Sequence, residues 1–248
     1  TMRRSETWQR VRLAADADGK LTGLGHEALV SNLDGETFSE PVTQSTHFLY
    51  AGENRRMGIR IARLNKTCAG SVRSPGEAVG MPTLENAMDE LAEKLGLDPV
   101  ELRKRNLPER HPETDLPYSS RKYAEAMDEG AKSFGWEKRN LKPSGLRDGE
   151  WLIGHGMAGA SRVNMIGKAS TRVTLALDEG GQPHATVETD MTDIGTGTFA
   201  ILSQITGEML GLPMAQVTAK LGDSRLPKGA GSGGSWGASS SGSATYLA

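Results

Sequence analysis

Two glycine-rich loops, each set between a strand-like run and a helix-like run, constrain this chain more than any other feature. The first is Asp193-Ile194-Gly195-Thr196-Gly197-Thr198. It follows a β-like run over 184–190 and precedes a helical apolar face of Ile201, Leu202, Ile205 and Met209. The second is Gly231-Ser232-Gly233-Gly234-Ser235-Trp236-Gly237, ahead of a helix expected over 238–248. The first N–H groups of a helix lack internal partners and carry partial positive charge. Glycine there lets an anionic ligand approach the backbone closely. Thr196 and Thr198 add hydroxyl donors. The plainer alternatives are a glycine turn with a threonine cap for the first loop and a flexible linker for the second. Trp236 is foreign to a linker, and Ala244 with Leu247 begins an apolar face just beyond it. Two such starts in one unit imply a ligand with phosphate groups, of which a dinucleotide is one form.

A third loop, Ser71-Val72-Arg73-Ser74-Pro75-Gly76-Glu77-Ala78-Val79-Gly80, places an arginine beside Pro-Gly ahead of a helix. Arg73 there can clamp an anionic group. The alternative is a surface arginine in a turn.

Composition narrows the function classes. Glycine is 31 of 248 residues, about twice the usual share of roughly 7%, which suits backbone-lined loops. Lys and Arg total 29 against 31 Asp and Glu, a formal net charge of -2, and this argues against a nucleic-acid module. The single cysteine, Cys68, excludes an intrachain disulfide, a thiolate zinc site and a cysteine-ligated iron–sulfur cluster. No apolar run is long enough for a spanning helix, and no apolar signal-peptide core stands at the start. The compartment, bacterial cytoplasm or periplasm, is not readable. The chain opens on Thr1-Met2-Arg3-Arg4 and stops at Tyr246-Leu247-Ala248 inside a helix-like run, so a piece of a longer protein is expected.

The pattern along the chain predicts an α+β fold of two mixed α/β units. Val11, Leu13 and Ala15 alternate as in a strand, Asp18-Gly19 signals a hairpin turn, and residues 21–30 form the return strand. Residues 31–70 show no clear period. Leu84, Ala87, Met88, Leu91 and Leu95 share a helical face, with Thr83 as a cap and Gly96 as the stop. Asp98-Pro99 opens another helix, with Glu101 placed as in a capping box. Tyr123, Ala126, Met127 and Phe134 mark a third. The stretch 140–149, with Pro143, Gly145 and Gly149, reads as a linker. Beyond it come β-like runs over 171–177 and 184–190 around Glu179-Gly180-Gly181, then the helix ending at Gly211 and a strand over 217–221. The expected units are 1–144 and 145–248.

Two motifs match in letters and fail in context. Gly154-His155-Gly156-Met157-Ala158-Gly159, with Asp178 about 20 residues on, satisfies the dinucleotide fingerprint. The residues after it, including Val163, Gly167 and Val173, do not open a helix. Gly233-Gly234-Ser235-Trp236-Gly237 satisfies the G-x-S-x-G elbow, but no strand runs into Ser235 and no histidine follows it. The five histidines show no paired metal-ligand spacing and read as structural.

Three stretches, in order, resemble the molybdenum-binding large subunit of the xanthine oxidase family, the molybdenum hydroxylases. They are Val72-Arg73-Ser74-Pro75-Gly76-Glu77 with the helix after it through Asn106-Leu107, then Asp193-Ile194-Gly195-Thr196-Gly197-Thr198 with Leu210-Gly211-Leu212-Pro213, then Gly222-Asp223-Ser224 through Gly242-Ser243-Ala244. The Arg73-Ser74-Pro75-Gly76-Glu77 variant is similar to bacterial aldehyde oxidoreductases built from three separate subunits. The resemblance implies a molybdenum–molybdopterin cofactor, in a bacterial enzyme the cytosine dinucleotide form. The pterin, not the protein, would hold the metal. It implies oxidation of aldehydes, or hydroxylation of aromatic heterocycles, with water as the oxygen source. Electrons would leave through [2Fe-2S] and FAD on partner subunits. It places Arg73 on the loop facing the molybdenum centre, Gly195, Thr196 and Gly197 at the cofactor's phosphate region, and Gly233, Gly234, Ser235, Trp236 and Gly237 around its pterin side. It also implies that the family's catalytic glutamate belongs to a later segment, so this chain alone would be inactive. Pro75 stands where many relatives carry an aromatic residue, which favours aldehydes over purines. The alternatives are a non-catalytic cofactor-binding or assembly module and, more distantly, a serine hydrolase.

Overall fold

A computed structural model describes residues 2–142 and 144–248. Thr1 and the linker residue Pro143 lie outside the described residues. The chain forms two compact units, Thr1–Val163 and Asn164–Ala248. The boundary expected at 144/145 falls inside the first unit, because residues 145–163 are tied to it. The Gly159 N–H donates to Glu85 Oε2 at 2.6 Å, and the Ser161 carbonyl accepts from Ser45 Oγ at 3.0 Å. Arg162 pairs with Glu77.

In the first unit, β1 (Thr7–Ala15) turns at Gly19 into antiparallel β2 (Leu21–Asn32), which runs parallel to β3 (Asn54–Arg63). The order is β1-β2-β3. The strand β3 occupies part of the run where no period stood out, although Met57, Ile59 and Ile61 do alternate with Arg56, Gly58 and Arg60. The helix α1 (Glu77–Leu95) closes one face of this sheet. It starts seven residues before Leu84, so Thr83 is not a cap: its hydroxyl donates to the Val79 carbonyl within the helix. Pro82 is accommodated inside α1 with Ala78, whose carbonyl loses a donor, on the exposed side. Gly96 ends the helix in the left-handed region, as expected. Leu21, Leu24, Leu49, Met81, Leu84, Met88 and Leu102 form the core between sheet and helices.

Helix α2 (Pro99–Arg105) is capped by Asp98, which accepts from the Val100 and Glu101 amides at 2.7 and 3.2 Å. The capping box is not closed; the Glu101 carboxylate pairs with Lys104 instead. Helix α3 (Tyr123–Phe134) buries Met127 but leaves Phe134 exposed. A short hairpin, β4 (Leu146–Asp148) and β5 (Trp151–Ile153), begins within the expected linker and runs past its end.

A buried ion pair holds α1 to α2. Arg103 Nε meets Glu85 Oε2 at 2.7 Å, with both side chains nearly inaccessible. The same carboxylate accepts from Tyr50 Oη at 2.7 Å and from the Gly159 amide. Arg103 spends its remaining donors on Asp89 and on the Glu85 and Pro99 carbonyls.

The second unit pairs β6 (Arg172–Leu177) antiparallel with β7 (Pro183–Thr189), and β7 parallel with β8 (Val217–Leu221). Helix α4 (Thr198–Leu210) makes the crossover between the parallel strands, and α5 (Gly237–Leu247) follows β8. Small residues let α5 approach α4 closely: Gly242 lies against Ile205, and Thr206, Ser241 and Thr245 are buried. Among the described residues no helix is long and apolar enough to cross a membrane.

Two outcomes test the first unit. Glu85→Ala strands the Arg103 guanidinium without its buried counter-charge and orphans the Tyr50 hydroxyl. It should cost about 3–5 kcal/mol in denaturant unfolding, against about 1 kcal/mol for Tyr50→Phe; equal, small losses would contradict this. The second concerns His26, which is fully buried between Thr46 Oγ1 and Gln9 Oε1. Burial, with a further push from His47, lowers its imidazole to about 4. The unfolded chain therefore binds a proton that the folded one refuses. The stability that neutral His26 provides is complete above the unfolded value near 6.5 and is lost as pH falls toward 4, on the order of 2–3 kcal/mol. Urea midpoints across that range should fall steeply for the native chain and less for His26→Gln. Identical slopes would refute the assignment.

Candidate functional site

The parallel pairing of β7 and β8 decides where the two glycine loops go. Both loops leave the C-terminal ends of adjacent parallel strands and both run into helix N-termini, the position where open α/β sheets bind ligands. The loops are also stitched together. The Thr192 amide and hydroxyl both donate to Ser232 Oγ, at 2.9 and 2.7 Å, and that hydroxyl donates back to the Thr192 carbonyl at 2.7 Å. Upstream, the Gly229 amide donates to Asp190 Oδ1 at 2.6 Å and the Asp190 amide to the Pro227 carbonyl. Sequence reading singled out both loops but neither Ser232 nor Thr192 as their joint.

The loops differ in what they offer. In the first, the amides expected to face an anion already have one. Asp193 Oδ1 accepts from Gly195, Thr196 and Gly197 at 2.8, 3.0 and 3.3 Å, and Oδ2 from Phe199 at 3.4 Å. Partial burial works the other way, but the Gly195, Phe199, Gly197 and Thr196 amides together hold this carboxyl below the usual carboxylate range. An anion set on those amides would meet a carboxylate. What the loop leaves available is the exposed backbone of Gly195 and Gly197, with open space where a Cβ would stand, beside the Thr196 hydroxyl, which shares a 3.3 Å hydrogen bond with Thr198 Oγ1. Asp two residues before glycine is the signal that could have predicted this turn.

The second loop has no such carboxylate. No side chain caps α5, and its first turn holds no acid. At Gly231 and Gly233 a Cβ would meet nothing within 4 Å. The other two glycines serve packing. Gly234 lies under the Trp236 ring, where a Cβ would stand 2.1 Å from it, and Gly237 lies against Met191. Trp236 thus folds onto its own loop, and its Nε1 donates to the Ala230 carbonyl at 3.0 Å. Ser235 sits in the left-handed region at φ 62°. Because β8 ends at Leu221, a long loop separates strand from serine, and the hydrolase elbow is not formed. Residues 154–159 likewise run into irregular chain rather than a helix. The donors available, amides and hydroxyls beside bare backbone, suit a phosphate-bearing group. Among the described residues no cluster of three His, Cys, Asp or Glu could hold a metal ion.

Arg73 belongs to the other unit. Its side chain is exposed and makes no ion pair among the described residues, but its backbone is firmly held. Arg4 donates to the Arg73 carbonyl and pairs with the fully buried Glu40 at 3.0 Å. The same Glu40 oxygen accepts from the Gly76 amide at 2.7 Å. Gly76, at φ 85°, is required: a Cβ there would lie 2.3 Å from the Pro41 carbonyl oxygen. Sequence reading found the arginine and missed its clamp, which reaches across 36 residues from Arg4 to Glu40.

Known proteins agree with this architecture. The description "Molybdopterin cofactor-binding domain" matches residues 1–107 and, as a second domain, residues 129–248. The aldehyde oxidoreductase molybdenum-binding subunit PaoC of Escherichia coli K12 is 47% identical over 249 residues, covering 100% of this chain and 33% of the relative. The putative xanthine dehydrogenase molybdenum-binding subunit XdhA of the same organism is 27% identical over 84% of this chain and 30% of its own length. The chain thus spans about a third of the length of the curated relatives it matches. The structure of quinoline 2-oxidoreductase from Pseudomonas putida 86 superposes with a TM-score of 0.82 at 23% identity, over 99% of this chain and 34% of that one. Aldehyde oxidoreductase from Desulfovibrio gigas gives 0.75 at 22%, over 99% and 28%. These likenesses carry the fold. With two molybdopterin cofactor-binding domains along its length, the chain belongs to the xanthine oxidase family of molybdenum hydroxylases.

Proposed function

We propose that this chain is the cofactor-binding part of a molybdenum-dependent oxidoreductase that oxidises aldehydes. The stitched pair of glycine loops at the ends of β7 and β8 carries the reading, and the 47% identity to an aldehyde oxidoreductase subunit supports the substrate class. The group would be molybdenum–molybdopterin, here as the cytosine dinucleotide, and when bound it supplies the two-electron oxidation and the route by which water oxygen reaches the substrate. [2Fe-2S] and FAD would sit on partner subunits that take the electrons onward.

The chain's own residues divide the work. The Gly231 and Gly233 backbone and the uncapped start of α5 receive phosphate. Gly195, Gly197 and the Thr196 hydroxyl line the neighbouring wall, while Asp193 keeps that turn rigid. Trp236 shapes the second loop from within. Arg73 presents a fixed positive charge and planar donors to an oxygen of substrate or cofactor, and the Arg4–Glu40 pair keeps its loop from relaxing. Ser235 forms no nucleophile.

Two experiments on the full-length protein test this. Gly233→Val fills the open space without a strained backbone. It should lower the pterin and molybdenum content of purified protein by at least about tenfold, equivalent to about 1.4 kcal/mol, with thermal stability kept. Retained cofactor would refute the phosphate site. Arg73→Ala should lower kcat/KM for aldehydes by about tenfold to about 150-fold, the loss of one charge-assisted contact, with cofactor content and unfolding midpoint unchanged. Unaltered kinetics across several aldehydes would refute the role given to Arg73.

A further inference from the structure

The face of the first sheet turned away from α1 belongs to none of this machinery. Strand register places its side chains in rows. Trp8, Leu29 and Arg60 align across β1, β2 and β3; next come Arg10, Glu27 and Gly58; then Arg12, Gly25 and Arg56. Paired residues on neighbouring strands project to the same side, so four guanidinium groups share this face with one carboxylate. Glu27 reaches Arg12 at 2.9 Å and Arg56 at 3.6 Å. Arg10 instead lies over the Trp8 ring, 5.1 Å from its centroid, and Arg60 makes no ion pair among the described residues. Glycine at 58 leaves a hollow of about 350 Å³ between them, with Trp8, Arg10, Glu27 and Arg56 on its rim. The chain as a whole carries a formal charge of -2, so this concentration of arginine is local.

We propose that this face is a docking surface for an acidic segment of another protein chain, whose carboxylates pair with Arg10, Arg60 and Arg56 while an apolar side chain covers Trp8 and Leu29. Three observations select that occupant. A second copy of the same face would set arginine against arginine across a two-fold axis. Trp8 and Leu29, half exposed among the arginines, give the mixture of aromatic, aliphatic and arginine surface that protein interfaces favour. A bare polyanion would leave that apolar surface wet. The stacking of Arg10 on Trp8 also fixes one guanidinium before any partner arrives, which lowers the entropy lost on docking.

The test uses the full-length protein with poly-L-glutamate as the acidic probe and heparin as a non-protein polyanion, followed by fluorescence anisotropy. Among the described residues the Arg10 and Arg60 side chains form no hydrogen bond or ion pair whose loss would unfold the sheet, so Arg10→Glu/Arg60→Glu is the first variant. Arg10→Gln/Arg60→Gln serves as a milder second, with circular dichroism as the fold control. Native protein should bind poly-L-glutamate more tightly than heparin, with affinity falling as salt rises. The reversal variant should lose at least about tenfold, the equivalent of about 1.4 kcal/mol, and the glutamine variant part of that. Absent binding, or affinity equal in both folded variants, overturns the proposal. So does tighter binding of heparin through the same arginines, which would point to a nucleic-acid or polysaccharide ligand. Concentration-dependent dimerisation abolished by the variants would assign the face to a second copy and equally overturn it.

Discussion

The parallel pairing of β7 with β8 is the constraint on which the candidate site depends. Parallel neighbours cannot be joined by a tight turn, so a helix must cross between them, and α4 does so. That crossover brings both strands out at the same end of the sheet. Both glycine loops are then obliged to lie side by side, and Thr192 and Ser232 need only short side chains to join them. The small residues of α5 follow from the same arrangement. A helix descending from the second loop must pack against α4, and Gly242, Ser241 and Thr245 allow the approach that larger side chains would block.

The two helix starts, alike in the sequence, have different electrostatics. One already holds an anion, the Asp193 carboxylate, covalently part of its own loop. The other has none. A carboxylate so placed does for α4 what a phosphate would do for α5: it satisfies amides that the helix leaves unpaired. The first loop therefore has these amides paired by its own side chain. The second has neither an acid in its first turn nor a side-chain cap, which is why the proposed phosphate is assigned to it. The two loops meet at the Thr192–Ser232 joint.

What was legible in the sequence follows the range of the interactions. Local signals were sound. The Asp18-Gly19 turn, the left-handed stops at Gly96 and Gly211, the Asp98 cap and most strand and helix runs are where the pattern puts them. The strand β3 was hidden because Arg55, Arg56, Arg60 and Arg63 dominate a run whose apolar alternation is only three residues deep. The early start of α1 was hidden because Gly80 and Pro82 weaken a helix locally. Gly80 is nonetheless needed, since a Cβ there would lie 1.9 Å from the Val42 carbonyl oxygen. Arg73 and the glycine loops stand out in the sequence as candidates, whereas the groups that hold them do not. Arg4, Glu40 and Ser232 are ordinary residues until tertiary structure brings them to their partners.

The boundary between the units shows the same limit from the other side. Pro143, Gly145 and Gly149 look like a linker, and composition alone gives no reason to extend the first unit beyond them. The reason lies in buried donors and acceptors. Once Glu85 and Arg103 are enclosed between α1 and α2, the carboxylate has accepting capacity left over, and leaving it unmet in a low-dielectric interior is costly. Tyr50 meets part of that demand and the Gly159 amide the rest. Satisfying a charge deep in the first unit thus draws a stretch of chain well past the linker back onto it. The point where the second unit can begin is set by where that demand ends, not by where glycine and proline are richest.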